Sequence, residues 1–255
     1  MITIIKKRIL RIFADGKTFD TEDEMGTEKR ITLFVDGKKE VLAVLTPENE
    51  ILWALGNLYC RKMIKSAADV SKISVTEEGV FVERKTLTVG IPAETRFLHT
   101  ASAAFLPQAK PQSIKNMLPI EWQISAASIM EGIAWIAEAP LFKATGAMHV
   151  AALISPSGEK LFRTEDIGRH NAVDKAIGWL VQNSLEPKET ALITSGRLPE
   201  DMVQKGLNAG IPLMASVSAA TAQGAESAEA GGMTLIGFAR EKRMNIYCHK
   251  ERITL

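Results

Sequence analysis

Apolar and basic positions alternate from Met1 to Arg11, which predicts a strand. Two apolar runs, Ile31-Thr32-Leu33-Phe34-Val35 and Val41-Leu42-Ala43-Val44-Leu45, flank Asp36-Gly37 and predict a hairpin. Thr46-Pro47-Glu48 carries a cap residue, a proline and an acid, so a helix is expected to open there. Ile51, Leu52, Leu55, Leu58 and Tyr59 would be its buried face. Ile73 to Glu83 reads as a second hairpin about Glu78-Gly79, and Thr86 to Ile91 as a short strand. Thr100 to Pro119, with Pro107, Pro111 and Pro119, reads as a loop. Glu121 to Ala137 then has the spacing of a long helix, with Trp122, Ile129, Ile133, Trp135 and Ile136 as its apolar positions.

The remainder alternates strand and helix. Val150 to Ser155 and Lys160 to Arg163 are expected strands. A helix follows Asn171, with Val173, Ala176, Ile177, Leu180 and Val181 as its buried stripe and Asn171 as its cap. Strands are expected at Ala191 to Thr194, Ile211 to Val217, Met233 to Phe238 and Met244 to Cys248. Between them lie helices from Pro199 to Gly210 and from Ala219 to Ala230. Helices between strands imply an α/β fold, with parallel pairs in a sheet covered on its faces. The expected organisation is a smaller, strand-rich α+β part over 1–100, an irregular loop over 101–120 and an α/β ligand-binding domain over 121–255.

Composition narrows the function. The 255 residues carry 31 basic and 30 acidic side chains, a net charge of +1, which argues against a nucleic-acid binder. No apolar run reaches membrane-spanning length, and the N-terminus lacks a signal-peptide cleavage site, so a cytoplasmic protein is expected. The two cysteines, Cys60 and Cys248, are far apart, and the histidines are scattered, so neither a disulfide framework nor a zinc site is expected. Cys60 reads as a buried small apolar residue, and Cys248, beside His249, as a weak nucleophile candidate.

The candidate chemistry lies at three strand ends. Thr194-Ser195-Gly196-Arg197 follows one strand, Ser216-Val217-Ser218 a second, and Gly237-Phe238-Ala239-Arg240-Glu241-Lys242-Arg243 a third. Ligands of open α/β sheets bind outside the carboxyl ends of the strands, and a turn feeding a helix N-terminus offers bare N–H groups to an anion. Arg197, Arg240 and Arg243 suit phosphate, Ser195, Ser216 and Ser218 add hydroxyls, and Phe238 suits a ring. Arg169 and His170 stand at the mouth of the helix that carries Asn171, and are expected to face the same crevice. Each feature also has a plainer reading. Polar loops are ordinary, Lys242 and Arg243 suit a solvated hairpin tip, Phe238 suits a core, His149 suits a satisfied buried histidine, and Arg169 with Asp174 suits a structural ion pair.

Glu165 to Gly178 resembles, nearly residue for residue, the distinctive motif of the FdhD/NarQ family, the formate dehydrogenase accessory sulfurtransferases. Ser195-Gly196-Arg197-Leu198, Met202 to Lys205, Ala209 to Pro212, Leu235 to Arg240 and Ile246-Tyr247 resemble it too. The resemblance implies a main domain folded like cytidine deaminases. It also implies a cytoplasmic homodimer that carries sulfur from a cysteine desulfurase to the molybdenum bis-molybdopterin guanine dinucleotide cofactor of the formate dehydrogenase catalytic subunit. It further implies that Phe238 to Arg243 contact the guanine dinucleotide.

The sulfur half departs from the family pattern. Members carry a Cys-x-x-Cys pair before the long helix, and by approximate register Ser102 and Phe105 take those places here. Ala147 replaces the second glycine of the Thr-Gly-Gly-x-His pattern, and Asn57 replaces a phenylalanine. The resemblance therefore supports a cofactor-binding accessory protein, with a cofactor chaperone lacking persulfide chemistry as the alternative. A nucleotide-acting hydrolase of deaminase-like fold would need His-x-Glu and Pro-Cys-x-x-Cys to hold and use zinc, and neither motif is present.

Overall fold

The structure is a computed structural model that describes residues 3–85, 117–240 and 242–255. The expected strand at Thr86 to Ile91, most of the irregular loop, and Ser102, Phe105 and Glu241 lie outside the described residues.

The chain opens as an antiparallel arm of β1 (Ile4–Ile12) and β2 (Thr18–Gly26), paired from Ile4↔Gly26 to Ile12↔Thr18. The sequence pattern shows only the first strand, because Asp20, Glu22, Asp23 and Glu24 hide the second. Cross-strand charge brings them together: Arg11 reaches Asp23 at 3.3 Å and Lys6 reaches Glu24 at 4.0 Å. The expected hairpin follows as β3 (Lys29–Val35) and β4 (Lys38–Leu45). Its turn puts Asp36 and Gly37 at φ of 50° and 78°, the left-handed conformation that Asp-Gly supplies at little cost. After α1 (Glu50–Cys60), β5 (Val70–Val75) and β6 (Gly79–Arg84) complete a four-stranded sheet in the order β4-β3-β6-β5.

The start of α1 differs from expectation. Asn49, in left-handed backbone, precedes it, and Thr46 lies four residues before its first turn. Thr46 is fully buried and joins distant segments instead: its N–H donates to Asp166 at 3.1 Å, and its hydroxyl accepts from the N–H of Ile167 at 3.1 Å.

A short strand β7 (Ile124–Ser125) leads into α2 (Ala126–Ala137), capped by the Ser125 hydroxyl, which accepts from Ser128 N–H at 3.0 Å. The helix begins later than the apolar spacing suggests because Trp122 is engaged elsewhere, its indole donating to Lys188 O at 2.7 Å. A further short helix, α3 (Pro140–Thr145), is held by Glu165, whose carboxylate accepts from the N–H groups of Leu141 and Phe142. The main sheet comprises β8 (His149–Ile154), β9 (Lys160–Asp166), β10 (Ala191–Thr194), β11 (Leu213–Ser216), β12 (Thr234–Arg240) and β13 (Arg243–Cys248). Their order is β13-β12-β11-β10-β8-β9, and β10, β11 and β12 run parallel to one another while β8, β9 and β13 pair antiparallel. A last short strand, β14 (Ile253–Thr254), pairs with β7.

Alternation along the central strands sends side chains to two cores. Ala151, Leu153 and Leu192 face a cluster with α4 (Arg169–Gln182), α5 (Glu200–Ala209) and α6 (Ala222–Gly231). Val150, Ala152, Ile154, Ala191 and Ile193 face the cluster that includes Ile129, Ile133 and Ile136 of α2. The first cluster continues through α1 into the apolar side of β3, β4 and β6.

Helices α1 and α4 cross at glycines. A Cβ on Gly56 would lie 1.8 Å from the carbonyl oxygen of Asp174, and one on Gly178 would lie 1.8 Å from that of Leu52. The backbones touch there, and no larger residue fits. The crossing also buries Asp174, which lies 2.5 Å from Lys205 and accepts from Asn57 Nδ2 at 3.2 Å. The alternative of an Arg169–Asp174 ion pair is therefore replaced by Lys205–Asp174.

Candidate functional site

Helix α4 begins at Arg169, two residues earlier than the expected cap at Asn171, with Gly168 in the cap position. Asp166 performs the local work instead: its Oδ1 accepts from Gly168 N–H at 2.8 Å and from Asn171 Nδ2 at 3.0 Å. Its Oδ2 lies 2.6 Å from Lys175, and both residues are fully buried. Lys175 also donates to the carbonyls of Thr46 and Glu165. The Glu165-to-Gly178 segment thus spends Glu165, Asp166, Asn171, Asp174 and Lys175 on holding the fold. It leaves Arg169 at the strand ends, whereas His170, expected to face the same crevice, is buried and turned toward Asp201 of α5, 3.3 Å from its Nε2.

Because β10, β11 and β12 are parallel neighbours, their carboxyl ends fall on one edge, as expected. The loops beyond them are stitched together. Ser216 Oγ donates to Gly196 O at 2.6 Å, Ser218 Oγ donates to Ser195 O at 2.9 Å, and Phe238 N–H donates to Ser218 O at 2.9 Å. Ser216 is fully buried, so its hydroxyl braces the turn. Gly196 N–H donates to Thr194 Oγ1 at 3.2 Å, which closes the turn on itself. Arg169 packs on this turn: a Cβ on Gly196 would stand 2.9 Å from Arg169 Cβ. Arg169 and the Ser195-to-Arg197 turn therefore share one side of the sheet edge, as the sequence suggests.

The electrostatics of this edge are unbalanced. Arg197 is exposed, and neither it nor Arg169 has an ion pair among the described residues. Arg169 Nε is buried with no hydrogen-bond partner among them. His170 is fully buried; its Nε2 lies 3.3 Å from Asp201 Oδ2, and its Nδ1 has no hydrogen-bond partner among the described residues. Burial holds the His170 pKa below the ordinary imidazole range against the pull of Asp201, and the His170 ring in turn lowers the Asp201 pKa. His149, at the start of β8, is half-buried, with Nδ1 3.3 Å from Ser195 Oγ. Burial first, then the charge of Arg169, lowers its pKa as well.

The β12–β13 hairpin forms the other end of the edge. Arg240 pairs with Arg243 across a tight turn, and Arg240, Lys242 and Arg243 are exposed. Ala239 turns inward and is buried. Phe238 is half-buried at a bulge, in left-handed backbone at φ 51°, with the Arg240 guanidinium 5.7 Å from its ring centre. The sequence reading leaves out His149 from the site, because a single histidine before a strand carries no periodic signal. It is the antiparallel β8–β10 register, with Thr194 opposite Ala151, that brings His149 to Ser195.

The thiols are elsewhere. Cys60 is buried in the α1 core, and burial pushes its pKa far up. Cys248 is also buried: its Sγ donates to Met233 O at 3.1 Å, and burial raises its pKa. His249 does not activate it, since the imidazole Nε2 donates to Glu229 O at 2.9 Å. The weak nucleophile reading of Cys248 is not supported by this geometry.

Fold and site together define a mixed α/β protein whose parallel strands end at a cationic, hydroxyl-lined edge. The chain belongs to the FdhD/NarQ family: the family model matches residues 26–254. Among its relatives, the sulfur carrier protein FdhD of Sulfolobus acidocaldarius is 35% identical over 98% of this chain and 99% of its own. That of Wolinella succinogenes is 31% identical over 98% of this chain and 90% of its own. In three dimensions the fold matches a crystal structure of a Desulfotalea psychrophila protein assigned as a formate dehydrogenase accessory protein, with a TM-score of 0.80 and 22% identity over 99% of this chain and 100% of that one. Among the described residues no helix is long and apolar enough to cross a membrane.

Proposed function

We propose that this chain binds the molybdenum bis-molybdopterin guanine dinucleotide cofactor at the strand-end edge. In this reading it serves formate dehydrogenase maturation in the cytoplasm as a sulfur-carrier family member, with a cysteine desulfurase and the dehydrogenase catalytic subunit as its partners. The finer likeness to cytidine deaminases belongs to the same reading. The observation that carries it is the pair Arg169 and Arg197, which make no ion pair within 4 Å among the described residues, beside the Ser195-Gly196 turn that Ser216 braces. The donor set suits such a ligand. Guanidinium groups match phosphate oxygens, and an exposed arginine hairpin next to an aromatic ring suits a phosphorylated purine.

The residues divide the work. Arg169 and Arg197 would hold phosphate charge, and Gly196 lets Arg169 pack closely against the turn that carries Arg197. Phe238, Ala239, Arg240, Lys242 and Arg243, with Glu241 between them in sequence, would hold the guanine end. The cofactor brings its own molybdenum chemistry, and the protein binds and orients it. The experiment is calorimetry with guanosine diphosphate: the Arg240→Ala, Arg243→Ala double variant should bind at least tenfold more weakly than native protein. Equal affinity would remove this hairpin from the site.

A second reading, a cofactor chaperone without persulfide chemistry, is favoured by the two thiols. The only cysteines in the chain are Cys60 and Cys248, and both are buried with raised pKa values. A persulfide carrier needs an accessible thiolate. Incubation with a cysteine desulfurase and cysteine should leave the intact mass unchanged. Added sulfur that disappears in Cys248→Ser would return the chain to the carriers.

A further inference from the structure

His149 stands at the unbalanced edge with a bond that changes direction on protonation. Ser195 Oγ accepts the Val150 N–H at 2.9 Å and lies 3.3 Å from His149 Nδ1. A hydroxyl has one hydrogen to give and two lone pairs to receive with. In the neutral ring with its hydrogen on Nε2, Nδ1 accepts the Ser195 hydrogen, and the serine has none left for a ligand. In the imidazolium, Nδ1–H donates to Ser195 Oγ, whose second acceptor site is free, and the serine hydrogen is released.

The groups around the ring decide its protonation state. Burial of the ring disfavours its charged form first, and the cations Arg169 on α4 and Arg197 on the turn before α5 add to this, as does His170 on α4 whenever it carries a proton. The opposing group is Asp166 on β9, the strand partner of His149, and Asp166 is 2.6 Å from Lys175. Asp201 on α5 faces His170 rather than His149. An anion held by Arg169 and Arg197 would offset their repulsion of the charged ring and add an attraction that favours it.

We propose that His149 is a further ligand-binding residue of this site: it takes up one proton from solvent as a phosphodiester anion binds beside Arg169 and Arg197, and so turns the Ser195 hydroxyl toward that anion. This rests on the reading of the edge as a phosphate site and names the residue that completes it. The proton goes to His149 Nδ1, the Ser195 O–H keeps its hydrogen and turns its hydrogen bond from His149 to the ligand, and no covalent bond to the ligand is made or broken. Binding and proton uptake are linked, so affinity rises as pH falls through the imidazole range.

The probe should not titrate itself. Diguanosine pyrophosphate has only esterified phosphates and keeps its charge between about pH 5.5 and 8. Calorimetry on the native protein, in two buffers of different ionisation enthalpy at pH 7, should show net proton uptake, and affinity should rise severalfold from pH 8 to 6. His149→Gln should bind with no pH dependence in that range and with uptake lost. Should that variant fail to fold, the native imidazole resonances supply the second measurement: one histidine should titrate at higher pH with the probe bound than without it. Binding with neither proton uptake nor a histidine shift would overturn the role of His149 and leave the phosphate site standing. No binding at any pH would remove both.

Discussion

Helix α4 carries two kinds of charge. In its interior Asp174 meets Lys205 at 2.5 Å, and Lys175 meets Asp166 at 2.6 Å, with all four side chains essentially removed from water. At its first residue Arg169 has no ion pair among the described residues, and neither has Arg197 on the turn packed against it. Buried charge is costly unless paired, so the interior pairs are what allows two helices to meet around polar side chains. Cations left unpaired at one edge serve no such purpose. The contrast separates the residues that build the fold from those available to a ligand, within one segment of sequence.

The largest effect should come from breaking the interior. Lys175→Met leaves Asp166 buried without its counter-charge and should cost about 3–5 kcal/mol in denaturant unfolding. A loss below about 1 kcal/mol would mean that the interior pairs matter little more to the fold than the edge cations do. Gly178→Ala drives a methyl into the Leu52 carbonyl 1.8 Å away and should cost about 3 kcal/mol, since neither backbone can give way without opening the crossing. At the edge the same scale should read almost nothing: Arg197→Ala should change stability by less than about 0.5 kcal/mol.

A smaller effect follows from the edge histidines. Burial lowers the pKa values of both His149 and His170 in the folded protein. The unfolded chain therefore binds more protons between its ordinary imidazole pKa, about 6.5, and the folded values. Stability is fully present above that range and falls as pH is lowered through it. His170→Gln should flatten part of that slope in denaturant titrations between pH 7 and 5. A slope unchanged in the variant would exclude His170 as its source. The Asp201 contribution has the same direction but a lower window: its folded pKa is depressed, so its stabilisation is lost only below the ordinary carboxylate range.

The same contrast explains what was legible in the sequence. Apolar periodicity gives the β3–β4 hairpin, the helix ending at the left-handed Gly210 and the alternation of strand and helix, because each depends on neighbours within a few residues. The three polar loops could be placed on one edge because parallel strands end together. The starts of α1 and α4 could not be read this way. Thr46 looks like a local cap but bonds to Asp166, 120 residues away. Asn171 also looks like a cap, yet its amide reaches Val44 O at 2.8 Å. Both belong to a tertiary network that local spacing does not reveal. Strand β2 was invisible for a related reason, since its acids become strand-forming only opposite the bases of β1. His149 needed the antiparallel β8–β10 register before it could be seen beside Ser195.

The most direct test is calorimetric titration of diguanosine pyrophosphate into native protein and into the Arg169→Ala, Arg197→Ala double variant, with unfolding curves recorded on both. Unpaired edge cations that exist for a phosphate ligand predict at least a tenfold loss of affinity in a variant that remains folded. Equal affinity in the folded double variant would contradict the assignment of this edge as the ligand site.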